Sequence, residues 1–222
     1  MRITWWAIAA WLVCTAAHGG QPQQRLPVYL LDRANDGYMD CTQAETLASR
    51  MFAGIGISLE WAKGKPAWES SGPPIIIEVV TRTPPNLMPD SLAYTAPNEG
   101  SHITVFLDRI EQMRAPSNVL AHVMVHEITH VLQGLSRHSA GGVMKEVWTA
   151  GDFGGMRLRP LPFTPVDIDL IHAGLAARQE AKTSRLQDSN GAGKNKGDST
   201  ATSSPRAAVD ASGNPDIPRE RH

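Results

Sequence analysis

The stretch Val125–His138 reads VHEITHVLQGLSRH and opens on H-E-x-x-H: His126, Glu127 and His130. Two histidines four apart lie on one face of a helix, one turn above the other. Two imidazoles so placed can hold one zinc ion, and Glu127 beside them projects close to the same face. Zinc lowers the pKa of a bound water toward neutrality, and a neighbouring carboxylate can take its proton as general base.

Five residues of this kind also arise by accident, so the flanking sequence decides. Ser117 reads as an N-cap, and neither Gly nor Pro interrupts 117–133. Leu120, Met124, Val131 and Leu135 make one apolar stripe, and Ala121, Val125, Ile128 and Leu132 make a second beside it. A helix this apolar is buried in a domain. Burying two histidines and a glutamate there is costly without a compensating partner, which a metal supplies. The plain alternative is a core helix with two hydrogen-bonded histidines. Four residues after His130 stands Gly134, which permits the left-handed conformation that ends helices. Four further on is His138, which the turned chain can bring back to the metal as third ligand. Glu146 and Asp152 are the competing candidates, each more in keeping with a solvated loop. His122, a turn before His126, is expected to be a packed histidine, and His102 and His172 are isolated.

At this point the sequence resembles the metzincin metalloproteases, and within them the matrixin-like branch, in a divergent form met among bacterial secreted proteins. That family carries H-E-x-x-H, a glycine, a third histidine, and a downstream turn whose methionine lies beneath the metal. The matching residues are His126, Glu127, His130, Gly134, His138 and Met144, with Ser139 following the third histidine as in the family. The resemblance implies zinc held by His126, His130 and His138, Glu127 as the catalytic base, and Met144 as a structural floor under the site. One departure is plain. The family sets its glycine three residues after the second histidine and its third histidine three further on, whereas both intervals here are four.

Residues 1–19 read as a secretory signal peptide: Arg2, an apolar run from Trp5 to Ala17 too short to span a bilayer, then small residues. Val13 before Cys14 is not the small residue that lipid attachment needs. Soluble export to a secreted or periplasmic location is therefore expected, with no membrane association after cleavage. Cleavage leaves one cysteine, Cys41, which excludes an intramolecular disulfide.

Residues 25–180 have the size of one domain. Leu26–Leu31 has β character. Asp40 can cap a helix to about Phe52, with Ala44, Leu47, Ala48 and Met51 inward and Gly54 ending it. Ile55–Trp61 alternates as a half-buried strand, and Ile75–Val80 is the strongest strand, expected at the sheet centre. Leu92–Thr95 is short and bounded by turn residues, an expected edge strand, and Ile103–Leu107 is a further strand. This order is similar to the metzincin amino-terminal half, in which the edge strand lines the cleft. An extended peptide can add to such an edge by main-chain hydrogen bonds.

Gly151–Pro162 shows no periodicity. The family builds a substrate pocket here, so Phe153, Leu158 and Leu161 either line it or pack a small carboxy-terminal lobe. Thr164, Pro165 and Asp167 open a last helix in capping-box fashion, with Ile168, Leu170, Ile171 and Leu175 inward. From 181 to 222 hardly an apolar residue occurs, and a disordered tail is expected.

Lys and Arg number 21 against 22 Asp and Glu, a net charge of −1 with no basic stripe, so nucleic acid is not an expected partner. The expected fold is α+β and metzincin-like: a mixed twisted β-sheet with a backing helix, a buried active-site helix, and a small carboxy-terminal lobe ending in a helix. The expected function is that of a secreted or periplasmic zinc-dependent endopeptidase acting on peptide or protein substrates. The alternative, from a different class, is a non-proteolytic secreted zinc-binding module. An intact Glu127 favours the enzyme, because zinc binding alone does not need that residue.

Overall fold

The computed structural model describes residues 24–32, 41–64, 74–95 and 101–194. Residues 1–23, the Asp40 cap, the turn at 97–100 and residues 195–222 lie outside the described set. The described residues up to Lys182 belong to one compact unit, and those from Thr183 fall in a second.

Ten elements are described: β1 (Gln24–Asp32), α1 (Cys41–Ala53), β2 (Ile57–Lys63), β3 (Ile75–Val80), β4 (Ala93–Thr95), β5 (His102–Phe106), α2 (Leu107–Ile110), α3 (Pro116–Gln133), α4 (Ala150–Met156) and α5 (Pro165–Lys194). The strands form one mixed five-stranded sheet in the order β2-β1-β3-β5-β4. β3 is central, as its run of β-branched residues predicts. It pairs in parallel with β1, Val28 opposite Ile75, and with β5, Ile77 opposite Ile103. Adjacent parallel strands need a crossover, and α1 supplies it between β1 and β2.

Period-two alternation sends Leu26, Val28 and Leu30, Ile75, Ile77 and Val79, and Ile103 and Val105 to one buried face. α1 packs there through Ala44, Ala48, Met51 and Phe52, and α3 through Leu120, Met124 and Ile128. Burying each such large side chain stabilises the fold by roughly 1.5–3 kcal/mol. α3 therefore runs through the core, and one stretch of its surface reaches the edge where β4 lies.

Some boundaries differ from the sequence expectation. β2 begins at Ile57, because Gly54–Gly56 form the turn after α1, with Gly56 at φ 81°. β5 ends at Phe106, because Leu107 opens the short helix α2. Ser117 is not the N-cap of α3. Ala115 takes that position in a left-handed conformation (φ 58°, ψ 60°), and Pro116 is the first helical residue, where its missing N–H costs nothing. Leu135 leaves its predicted stripe and is 47% exposed, because Gly134 ends the helix before it.

α5 opens with the expected reciprocal cap: Asp167 N–H donates to Thr164 Oγ1 (3.2 Å) and Thr164 N–H donates to Asp167 Oδ2 (3.0 Å). Ile171 and Leu175 are buried. At Gly174 a Cβ would stand 1.7 Å from the Leu132 carbonyl oxygen, so the closeness of α5 to α3 depends on glycine here. The helix continues through residue 181, where the sequence suggests that the tail begins. Ala176, Ala177, Arg178, Gln179, Glu180, Ala181 and Lys182 are strong helix formers even without an apolar face. No helix of the described residues is long and apolar enough to cross a membrane.

Candidate metal centre

α3 carries His126, Glu127 and His130 in its last two turns. Gly134 then adopts the left-handed conformation (φ 62°, ψ 23°), and its N–H caps the His130 carbonyl at 2.9 Å. The chain reverses and His138 returns to the helix. One ring nitrogen from each of His126, His130 and His138 lies within 4.8 Å of the other two. Among the described residues this is the one group of three or more His, Cys, Asp or Glu side chains so arranged.

The tautomers of two histidines follow from their partners. His126 Nδ1 lies 2.8 Å from the Val143 carbonyl, and His130 Nδ1 lies 2.9 Å from the Leu135 carbonyl. A carbonyl only accepts, so each Nδ1 carries the proton and each Nε2 is left with a lone pair. Those two Nε2 atoms face each other at 3.0 Å. Two lone pairs at that distance repel unless a proton or a cation lies between them. Protonation is disfavoured: burial brings His126 down to about 4, the Val143 hydrogen bond opposing and His130 and His138 adding repulsion. Three imidazoles converging on one point are a donor set suited to zinc.

The turn behind the site supplies one of these carbonyls. Ser139 N–H donates to the Met144 carbonyl (2.7 Å), and Val143 N–H donates to the Pro162 carbonyl (2.9 Å). Gly142 makes the turn possible. Its φ is 74°, and a Cβ there would stand 2.2 Å from the Pro162 oxygen. Met144 is fully buried in the core cluster.

Glu127 Oε2 accepts a hydrogen bond of 2.5 Å from Thr95 Oγ1, on the last residue of β4. Burial raises the Glu127 pKa, against the opposing effects of the Thr95 hydrogen bond and of His130. The histidines and Glu127 lie in a cleft of about 920 Å³ whose walls include Tyr94 and Thr95 from β4 together with Leu135, Val147, Trp148 and Phe153. Tyr94, Leu135 and Val147 are exposed apolar side chains, so the cleft offers apolar surface around its polar centre.

No family model matches the chain, and no curated protein matches it. Among solved structures the chain is similar to the crystal structure of archaemetzincin from Methanopyrus kandleri, at 12% identity and a TM-score of 0.47. That match covers 72% of this chain and 99% of the other.

The competing ligand candidates are placed elsewhere. Asp152 caps α4 through Thr149 and pairs with Lys145 Nζ at 2.7 Å. The Lys145 and Thr149 hydrogen bonds hold its carboxyl down at about 2. Glu146 lines the cleft outside the histidine group. His122 is fully buried and satisfied at both nitrogens. Its Nδ1 donates to the Asn118 carbonyl (2.6 Å), and its Nε2 accepts from Leu161 N–H (3.0 Å). His102 pairs with Glu78 at 3.0 Å.

Of the three residues considered for a pocket after the methionine turn, only Phe153 lines the cleft. Leu158 is 90% exposed and Leu161 packs against the core. The cause is α4, whose Thr149–Asp152 capping box starts a helix that sets Phe153 against Trp148 at 6.0 Å and turns Leu158 to solvent. The T-x-x-D spacing at 149–152 was the available signal for that helix. Thr95 and Trp148, whose ring lies edge-on to His126 at 5.7 Å, carried no such signal.

Burial also lowers the His122 pKa, against the Asn118 hydrogen bond, and lowers that of His138. Histidines of this kind bind protons less readily in the folded chain than in the unfolded one. The zinc-free domain therefore loses stability as pH falls from about 6.5 toward about 4. The raised Glu127 acts in the opposite sense, so the measurement belongs in Glu127→Gln. Its melting temperature is expected to fall steadily across that window, and a flat or rising profile would show that these imidazoles are not protected from protons.

Proposed function

We propose that this protein is an exported zinc-dependent endopeptidase. His126, His130 and His138 are its metal ligands, Glu127 its general base, and Met144 the floor of its site. The observation that carries the proposal is the pair of facing Nε2 lone pairs, with a third imidazole beside them and the half-buried Glu127 carboxylate alongside in one open cleft. Export rests on the signal-like character of residues 1–19. Placement in a secreted or periplasmic compartment follows from it.

Zinc held there would supply positive charge that polarises a peptide carbonyl and acidifies water. The remaining work falls to the chain. β4 pairs with β5 on one side, and its residues line the cleft on the other. An extended peptide laid along that edge gains main-chain hydrogen bonds and presents its scissile bond above the histidines. Glu127 takes a proton from the attacking water at its carboxylate and delivers it to the departing amine. Thr95 holds Oε2 by its hydroxyl, which leaves Oε1 for the proton. Val143 and Leu135 keep both Nδ1 atoms protonated, so both Nε2 atoms remain available to the metal. A non-proteolytic zinc-binding module needs no carboxylate in the cleft beside the histidines, and this favours hydrolysis over binding alone.

The test is metal removal. Cleavage of an unstructured protein substrate is expected to fall to background after chelation and dialysis, and to return with about one equivalent of zinc. Full cleavage by protein shown to be metal-free would contradict the proposal.

A further inference from the structure

His126 and His130 each have a ring nitrogen tied to a backbone carbonyl. Among the described residues no hydrogen bond holds the His138 ring, which stands exposed on the loop that follows Gly134. The ring rests against the His126 ring (5.3 Å between centroids) and the His130 ring (5.0 Å), and both of its sequence neighbours are held by one buried side chain. Arg137 Nη1 donates to Asp167 Oδ1 (2.9 Å), and Ser139 Oγ donates to the same oxygen (2.7 Å). Arg137 Nη2 also donates to Ser139 Oγ (3.2 Å), closing a triangle around the loop. Asp167 is fully buried.

The two oxygens of this carboxylate divide their work. Oδ2 accepts from Thr164 N–H and Oγ1 (2.7 Å) and caps α5. That is all a capping box requires. Oδ1 does nothing for its own helix and serves only the His138 loop.

We infer that Asp167 is a positioning residue for the third metal ligand, holding His138 in place through Arg137 and Ser139. The inference rests on the zinc reading of the site. A ligand on a free loop loses conformational entropy when it binds, and a loop fixed beforehand does not. Residues that orient ligands from behind typically contribute about 10–100-fold in metal affinity. Asp167→Asn keeps the shape but has one acceptor oxygen, so it cannot both cap α5 and hold the loop.

The experiment compares the parent with Asp167→Asn, Ser139→Ala, Arg137→Gln and Thr164→Ala. Zinc affinity is read by competition with a chromophoric chelator. Melting temperature and hydrogen exchange of residues 134–142 are read on the zinc-free proteins. Asp167→Asn is expected to bind zinc about tenfold or more weakly, near the lower end of such losses, with faster exchange in the loop. Thr164→Ala loses the cap alone, so it should melt lower with parental zinc affinity. Parental affinity or parental loop exchange in Asp167→Asn would overturn the inference. If Asp167→Asn does not fold, Ser139→Ala and Arg137→Gln decide, since both leave the Oδ2 cap intact. Weaker zinc binding at parental melting temperature supports the inference, and unchanged affinity in both overturns it. Failure of the zinc reading looks different: the parent itself takes up no zinc while the loop still loosens in Asp167→Asn, and the ligand-positioning role falls with it.

Discussion

Glu127→Gln is expected to keep one zinc per chain while losing hydrolysis by about 10²–10⁴-fold, the usual contribution of a general base. Glutamine matches glutamate in shape, and its carbonyl oxygen can still accept the hydrogen bond that Thr95 donates to Oε2. The three imidazoles and the carbonyls that orient two of them are untouched. What disappears is the group that takes a proton and gives it back. The loss should therefore fall on turnover, with substrate affinity nearly unchanged. Zinc analysis and steady-state kinetics on the same preparation check it. Parental turnover in a variant that still holds zinc would remove Glu127 from the mechanism. Loss of zinc together with activity would mean that its role is to hold the metal site.

Gly174→Ala is expected to lower stability by about 3 kcal/mol or more, at the upper end of what overpacking costs. Helix propensity alone predicts the opposite, a gain of up to about 1 kcal/mol for replacing a glycine inside a helix. Contact decides the sign. The added carbon would stand 1.7 Å from the Leu132 carbonyl oxygen and 2.7 Å from its carbon, and both are backbone atoms that cannot rotate away. α5 must then move off the last turn of α3, two residues beyond His130, and it carries Asp167 with it. In a domain of this size the loss corresponds to a melting temperature lower by about 10 °C. Gly155→Ala in α4, where an added carbon meets nothing within 4 Å, is the control and should be neutral or slightly stabilising. A raised melting temperature in Gly174→Ala would show that α5 does not approach α3 so closely.

The parts of this fold that the sequence revealed are those set by local pattern. The spacing of His126 and His130 is a property of any helix. The run Ile75–Val80 could be stable only with both edges paired, and β3 has that position. Leu92–Thr95, short and flanked by turn residues, became the edge strand β4. Gly134 ended α3 as its conformational freedom suggested. The differences arise where a weak local signal met a stronger constraint. Ser117 lost the cap to Ala115 because Pro116 starts the helix two residues earlier. α4 is seven residues with three glycines, poor in helix propensity, and stands on its Thr149–Asp152 cap. The contacts that complete the site are non-local. Thr95 reaches Glu127 across 32 positions and Arg137 reaches Asp167 across 30, and no periodicity carries information over such separations.

The most direct test of the central claim is zinc content. The purified protein and its His138→Ala variant are prepared without chelators, reloaded with zinc, dialysed, and measured by elemental analysis. The three-histidine centre predicts about one zinc per chain in the parent and a large loss in His138→Ala. One zinc in both would move the third ligand away from His138. No zinc in either would leave His126 and His130 as packed histidines of a core helix and would contradict the account.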